Sequence, residues 1–113
     1  MRWLLRSKIH KATVTQADVD YIGSVTIDEN LIEHVGFYSG EKVLVVSNTS
    51  GVRLETYIIV GEPGSGIICM NGAAAHKIKT GDEIIIMGFE LSDKPIIPKM
   101  ILVDKNNKFV RFL

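Results

Sequence analysis

The sequence has only one cysteine, and its positive and negative charges balance. A single thiol, Cys69, excludes an internal disulfide and a cysteine-based zinc site, which favours a reducing cytoplasm. Thirteen basic and 13 acidic side chains leave no global field to hold a nucleic acid. Near the amino terminus the apolar run covers residues 3–5, far shorter than a signal peptide or a membrane span. We therefore expect no nucleic-acid partner and no membrane partner.

Classical enzyme signatures are also missing, because the chain has no nucleophile elbow, no P-loop and no dinucleotide-binding fingerprint. Its histidines, His10, His34 and His76, lack the spacing of a zinc site, so no metal is expected. Cys69 lies in an apolar stretch and is interpreted as a small core residue. Composition and common motifs therefore leave the function open.

What is present is typical of one folded domain. The chain has 113 residues, of which 46% are hydrophobic and 23% are charged. This length builds one core and leaves no room for a separate cofactor domain, so residues 1–113 are predicted to form a single unit. The charges are uneven locally, since the segment 1–17 holds four cations and no acid. This basic arm is available to a partner or to a site.

Secondary-structure signals predict a mainly β protein. A short helix is expected over 28–36, with Asp28 as its amino-terminal cap and Gly36 after its end. The polar turn 48–51 between two β-type runs predicts a hairpin. Strands are predicted over residues 8–15, 41–47, 52–60, 67–70, 83–91, 96–104 and 108–113. Six or seven short strands are best accommodated in a small closed barrel, which leaves no open sheet edge.

Several segments are weak signals alone but specific as an ordered set. They are Lys8-Ile9-His10, Val14-Thr15-x-Ala17-Asp18, Tyr21-x-Gly23-Ser24, Ile27-Asp28, Arg53-x-x-Thr56-Tyr57, Asn71-Gly72-Ala73-Ala74-Ala75-His76 and Gly81-Asp82. In this order and spacing the chain resembles the pyruvoyl-dependent aspartate 1-decarboxylase family, from its amino terminus to at least Phe89. The resemblance implies a cytoplasmic enzyme with a double-psi β-barrel fold, assembled as a homotetramer with active sites between subunits.

The resemblance also implies that the chain makes its own cofactor. Ser24 attacks the Gly23 carbonyl, and the chain divides into a β chain, 1–23, and an α chain, 24–113. The former Ser24 becomes a covalently bound pyruvoyl group, with no metal and no pyridoxal phosphate. Some family members need a helper protein for this step, so a maturation factor stays open. A second Gly-Ser pair, Gly64-Ser65, lacks the neighbouring motif and is predicted to be a turn.

The implied reaction converts L-aspartate to β-alanine and carbon dioxide for pantothenate and coenzyme A biosynthesis. The catalytic residues expected from the family are Ser24 and Tyr57, the latter as the proton donor. Expected at the substrate are Arg53, Lys8, Thr56, Gly72, Ala73 and Ala74, and Thr56 is also the donor to the oxyanion formed during maturation. The supporting residues are Asn71, His10 and Tyr21.

One departure and two alternatives accompany this interpretation. Some relatives carry a tryptophan on the strand before the 48–51 turn, where this chain has Val46, and its only tryptophan is Trp3. A pocket wall built from that ring is therefore in doubt. The chain is alternatively a non-catalytic β-barrel that binds a ligand, or DNA through its basic arm. The other alternative is a paralogue that folds but never matures.

Overall fold

The computed structural model describes residues 1–113, which form nine strands, one α-helix and one 3₁₀ helix. The 3₁₀ helix covers Gly72–His76, and the α-helix, α1, covers Glu29–Val35. The strands are β1 (Arg2–Thr13), β2 (Gln16–Asp18), β3 (Ser24–Asp28), β4 (Lys42–Ser47), β5 (Arg53–Gly61), β6 (Ile68–Asn71), β7 (Glu83–Ser92), β8 (Lys99–Val103) and β9 (Phe109–Phe112).

The nine strands form one sheet in the order β2-β6-β3-β5-β4-β7-β1-β8-β9. Only Val14 and Thr15 separate β1 from β2, so one nearly continuous run pairs with β7 through β1 and with β6 through β2. Across this break the Val14 amide donates to the Asp82 carbonyl at 2.9 Å, and the Thr15 amide donates to the Ile68 carbonyl at 2.8 Å. The strand order thereby returns on itself, and strands β1 to β7 close into a barrel.

The hydrophobic core consists of apolar side chains from helix α1, from the connecting segments and from every strand from β1 to β8 except β2. Strands with one covered face alternate buried and more exposed residues, as in β4, where Val43 and Val45 are buried. The core residues are Ile9, Ala12, Val14, Val25, Ile27, Leu31, Ile32, Val35, Phe37, Val43, Val45, Ile58, Ile68, Met70, Ile78, Ile84, Ile86, Ile101 and Val103. Burial of this apolar surface is the main stabilising term of the fold.

Helix α1 begins and ends as its sequence predicts. The Asp28 carboxylate accepts the Asn30 amide at 2.9 Å, and Gly36 adopts φ 74° at the carboxy-terminal end. Asp28 is buried, and its oxygens also accept the amides of Gly64 and Gly66 at 3.0 and 2.8 Å. One carboxylate therefore caps the helix and fixes the 61–66 turn. No helix in the chain is long and apolar enough to cross a bilayer.

Asn107 holds the opposite side of the same turn. It is fully buried; its Nδ2 donates to the carbonyls of Thr13 and Gly66, and its Oδ1 accepts the Thr13 amide at 2.8 Å. Position 66 requires glycine, because an added Cβ would lie 2.5 Å from the Asn106 carbonyl oxygen. The loop between β8 and β9 is thereby tied to the end of β1.

The predicted mainly β fold is confirmed, with nine strands instead of six or seven. The helix, the 48–51 hairpin and the turn at Gly64-Ser65 are confirmed as well. Strands β2 and β3 were not predicted, since β2 has only three residues and β3 is buried without alternation. The first strand begins at Arg2, well before residue 8, because its amino-terminal half pairs with β7.

Candidate active site

The candidate site is built around Ser24, the first residue of β3. This strand lies between β5, to which it is parallel, and β6, to which it is antiparallel. Ser24 is fully buried, and its hydroxyl donates to the Ile22 carbonyl at 3.3 Å. The peptide bond between Gly23 and Ser24 therefore lies where an exposed bend enters the barrel wall.

Asn71 faces Ser24 across the β3–β6 pairing. Its side-chain Nδ2 donates to Ser24 Oγ at 2.8 Å and to Thr26 Oγ1 at 3.0 Å. Asn71 is itself only 3% exposed, so water does not compete for these hydrogen bonds. The structure thus brings together two residues that the motifs at 23–24 and 71–76 placed in one site.

Gly72 packs directly on the backbone of Gly23. A Cβ added to Gly72 would lie 2.7 Å from Gly23 Cα and 3.1 Å from the Tyr21 carbonyl oxygen, and its φ of 70° disfavours other residues. Glycine at this position allows the two segments to touch. Ala73 and Ala74 follow in the 3₁₀ helix, the first exposed and the second half-buried.

The other Gly-Ser pair has none of this environment. Gly64 and Ser65 lie exposed on the 61–66 turn, where the Ser65 hydroxyl donates to the Glu62 carbonyl at 2.6 Å. No asparagine amide contacts this hydroxyl. The contrast separates the buried Gly23-Ser24 pair from an ordinary surface turn.

Tyr57 and Thr56 lie on β5, the strand next to β3. The parallel ladder begins at the pair Val25 and Ile58, so the preceding residues, Ser24 and Tyr57, lie on neighbouring strands and on the same side of the sheet. Thr56 projects to the opposite side, at the level of Gly23. Tyr57 is 39% exposed, so its phenol is open to a ligand while Ser24 is covered.

Three residues expected at or near the substrate do not lie close to Ser24 within one chain. They are Arg53, Lys8 and His10. Arg53 lies four residues before Tyr57, which is about 13 Å along the strand. Lys8 and His10 lie on β1, which is separated from β5 by β7 and β4. In sheet register, Lys8 shares a row with Glu55, three strand spacings or about 14 Å away. A single chain therefore presents these groups on one outer surface without gathering them.

His10 lies in a partly buried environment, and its Nδ1 has no hydrogen-bond partner. Burial lowers the pKa of His10 below its ordinary value of 6.5, and the positive charges of Lys8 and Lys11 lower it further, against the opposing effect of Glu83. The imidazole is therefore neutral at neutral pH.

Two residues beside Ser24 were missed by sequence reasoning. Thr26 receives the second hydrogen of the Asn71 amide, and the Cys69 thiol contacts Asn71 Oδ1 at 3.1 Å. Cys69 is buried, as predicted, but its thiol has a polar partner in Asn71. Its position two residues before Asn71 on the same strand was the available signal, since such residues share a face.

A cleft of about 610 Å³ lies elsewhere on the outer surface. Trp3 and Phe89 form its apolar wall, and Lys42 and Glu55 form an exposed ion pair of 2.7 Å at its rim. Ser24 does not line this cleft. Within one chain, the buried hydroxyl and this open cleft are therefore separate features. No three His, Cys, Asp or Glu side chains are grouped so that they could hold a metal ion.

Comparison with known proteins covers nearly the whole chain. The family model described as aspartate decarboxylase matches residues 1–110. An aspartate 1-decarboxylase from Neisseria meningitidis is 50% identical over 111 residues, covering 95% of this chain and 87% of that protein. Another from Caldicellulosiruptor saccharolyticus is 52% identical over 112 residues, covering 96% of this chain and 88% of that protein.

Among solved structures, the chain is similar to a rationally designed DPBB protein, with a TM-score of 0.53. DPBB stands for double-psi β-barrel. The match covers 79% of this chain and all of that protein at 15% sequence identity. It confirms the predicted barrel class.

Proposed function

Because the chain belongs to the aspartate decarboxylase family, we propose that it is a carboxy-lyase whose prosthetic group is made from Ser24. The enzyme converts L-aspartate to β-alanine and carbon dioxide, a step of pantothenate biosynthesis. The observation that carries the proposed self-processing is the Asn71 amide, which contacts the fully buried Ser24 hydroxyl at 2.8 Å.

The first maturation step moves the Gly23 acyl group from nitrogen to oxygen. Ser24 Oγ attacks the Gly23 carbonyl carbon, the C–N bond breaks, and an ester replaces the peptide. The Ile22 carbonyl accepts a hydrogen bond from the Ser24 hydroxyl, so it lies next to the proton that this hydroxyl must lose. The absence of a side chain on Gly23 leaves the attacked carbonyl unshielded.

The second step breaks the ester. Loss of the Ser24 α-proton expels the Gly23 carboxylate and leaves a dehydroalanine, which takes up one water and releases ammonia. The products are the chains 1–23 and 24–113, the second beginning with a pyruvoyl ketone. Thr56, at the level of Gly23 on the neighbouring strand, is the proposed hydrogen-bond donor to the oxyanion of the first step.

The residues around Ser24 fit such a group. Position 24 is fully buried, and a new chain terminus bearing an ammonium ion there would pay a large desolvation cost. A neutral ketone avoids that cost, and the Asn71 Nδ2 group is a donor ready for a carbonyl oxygen. The pyruvoyl group supplies an electron sink for the pair of electrons left when carbon dioxide departs.

The chain's own side chains bind and protonate the substrate. Arg53 is the proposed bidentate partner of the retained carboxylate, and Lys8 adds a second positive charge for the dianionic part of aspartate. Gly72 packs against Gly23, and the backbone N–H groups of 72–74, which carry only small side chains, are proposed to contact the substrate. Tyr57, beside Ser24 and open to a ligand, donates the proton to the carbon that lost the carboxylate.

A second copy of the chain is proposed to complete the site. Lys8 is about 14 Å from β5 across the sheet of its own chain, too far to meet a substrate held at Ser24. The outer surface between them carries partly exposed apolar side chains, which are Leu44, Val46, Ile85 and Met87. Covering these side chains with a neighbouring chain would bring Lys8 or Arg53 to another chain's Ser24. We propose a cytoplasmic homotetramer with sites between subunits.

Intact mass of the purified protein tests the proposal. The expected result is two chains divided between Gly23 and Ser24, the larger one blocked to Edman sequencing and reactive with a carbonyl reagent. Aspartate must then release carbon dioxide. The control is Ser24→Ala, which lacks the attacking oxygen and must stay uncut. If the unsubstituted chain stays uncut after prolonged warming, alone and with cell extract to supply a maturation factor, the chain is a non-maturing scaffold or binding module.

A further inference from the structure

The side-chain amide of Asn71 is held at both ends, and two of its three partners have no role assigned so far. Nδ2 donates to Ser24 Oγ at 2.8 Å and to Thr26 Oγ1 at 3.0 Å. At the other end, the Cys69 thiol donates to Oδ1 at 3.1 Å. Cys69 and Thr26 therefore contact Asn71 without contacting the bond that is to be cut.

The direction of this amide decides how the Ser24 hydroxyl is used. With Nδ2 toward Ser24, the oxygen accepts a hydrogen bond and its own hydrogen is free to point at the Ile22 carbonyl. If the amide were turned by 180°, Oδ1 would face Ser24 and would take the hydroxyl hydrogen instead. Only the first arrangement stabilises the negative charge that grows on Oγ as it attacks.

The thiol selects the first arrangement. It is a donor, although a weak one, so it favours Oδ1 over the NH₂ group at that end of Asn71. Thr26 can accept from the amide at the other end. Cys69 is 5% exposed, so water cannot take over the thiol's role. Burial raises the pKa of the Cys69 thiol, and the charge of Asp18 raises it further, which keeps the hydrogen in place at neutral pH.

We infer that Cys69 and Thr26 are positioning residues for self-cleavage, which act by holding the Asn71 amide with Nδ2 toward Ser24 Oγ. The inference rests on the proposed cleavage between Gly23 and Ser24. It assigns a maturation role to the single cysteine of the chain, which the sequence alone placed among inert core residues.

The experiment measures the rate at which purified uncut precursor divides, followed by intact mass at a temperature well below unfolding. Cys69→Ala removes the donor, and we expect cleavage to slow by about 3- to 10-fold, the value of one modest hydrogen bond. Cys69→Ser restores a donor at the same position, and its rate is expected to return to within about 2-fold of the unsubstituted chain.

A second pair of variants keeps the test decisive if Cys69→Ala fails to fold. Thr26→Val has nearly the shape of threonine but no hydroxyl, and it is expected to slow cleavage by about 3- to 10-fold, whereas Thr26→Ser is expected to cleave nearly normally. Val45→Ala is the control for lost core packing, because Val45 is fully buried on β4, which β3 and β5 separate from β6. It should lower the melting temperature without changing the rate.

Two outcomes overturn the inference while leaving the proposed function intact. The first is that Cys69→Ala and Thr26→Val cleave as fast as the unsubstituted chain. The second is that Cys69→Ser cleaves as slowly as Cys69→Ala, and Thr26→Ser as slowly as Thr26→Val. That result would indicate an effect of packing and not of hydrogen bonding. A different result, an unsubstituted chain that never divides, would remove the proposed function and this inference with it.

Discussion

Asn71 donates a hydrogen bond of 2.8 Å to Ser24 across two paired strands, β6 and β3, and both residues are buried. Because the backbones are also paired at these residues, neither side chain can drift relative to the other. A hydroxyl that must attack its own peptide bond is therefore held in one place before any reaction begins.

Gly72→Ala tests the contact with Gly23. The added Cβ would lie 2.7 Å from Gly23 Cα, and the backbone has a φ of 70°, so steric strain and overpacking add. We expect a loss of about 3 kcal/mol or more in the free energy of unfolding, together with a loss of cleavage. Chemical denaturation measures the first effect and intact mass the second.

Gly81→Ala is the matched control for Gly72→Ala. Gly81 also has a positive φ, 91°, but nothing lies within 4 Å of its added Cβ. Only the backbone strain remains, so we expect the free energy of unfolding to fall by about 1 kcal/mol and cleavage to be normal. Equal effects of the two substitutions would show that contact with Gly23 is unimportant.

Tyr57→Phe tests the proton donor. The ring and its packing are retained and only the hydroxyl is lost, so the chain should still divide between Gly23 and Ser24. Turnover of aspartate is expected to fall by about 100-fold or more, because a positioned acid contributes at least that factor. Carbon dioxide release per cleaved chain is the measurement, and full activity would remove Tyr57 from its role. Tyr38→Phe, at a tyrosine that is 75% exposed after α1, is the control.

The lowered pKa of His10 predicts a loss of stability in acid. In the unfolded chain His10 takes up a proton near pH 6.5, whereas in the folded chain it does so only at lower pH. The unfolded state therefore binds more protons between these two values, and stability falls as the pH drops through them. Denaturation curves from pH 7.5 to 5 should show this loss, and His10→Gln should reduce it. An unchanged pH dependence in His10→Gln would assign the loss to other groups.

Asn107→Ala tests the tie between the last loop and the end of β1. The substitution removes three hydrogen bonds, two to the partly buried backbone of Thr13 and one to the buried carbonyl of Gly66. We expect the free energy of unfolding to fall by about 2–4 kcal/mol. Asn106→Ala changes an exposed neighbour and is expected to cost less than about 0.5 kcal/mol. Similar melting temperatures for the two variants would contradict a structural role of Asn107.

The parts predicted best from the sequence are those with local causes. The helix depends on the cap at Asp28 and the left-handed Gly36, and the hairpin at 48–51 depends on its polar turn. The family motifs named Ser24 and Asn71, and the structure brings them together. In each case the information lies within a few neighbouring residues or within a motif.

What could not be predicted depends on strand order and on burial from both sides. All four residues of β6 are buried, so no alternation of apolar and polar residues distinguished Cys69, which contacts Asn71, from its core neighbours Ile68 and Met70. The separation of Lys8 from β5 follows from β7 and β4 lying between them, an order that no local pattern encodes. Long-range pairing therefore limits how much of a site the sequence alone reveals.

The continuous run from β1 to β2 gives the proposed cleavage an effect on refolding. A cut after Gly23 puts both strands on a separate 23-residue piece, held to β6, β7 and β8 only by hydrogen bonds and packing. The uncut chain can close its barrel as a single molecule, whereas the cut protein must recapture a detached peptide. Refolding of the mature form then becomes a second-order process whose yield depends on concentration.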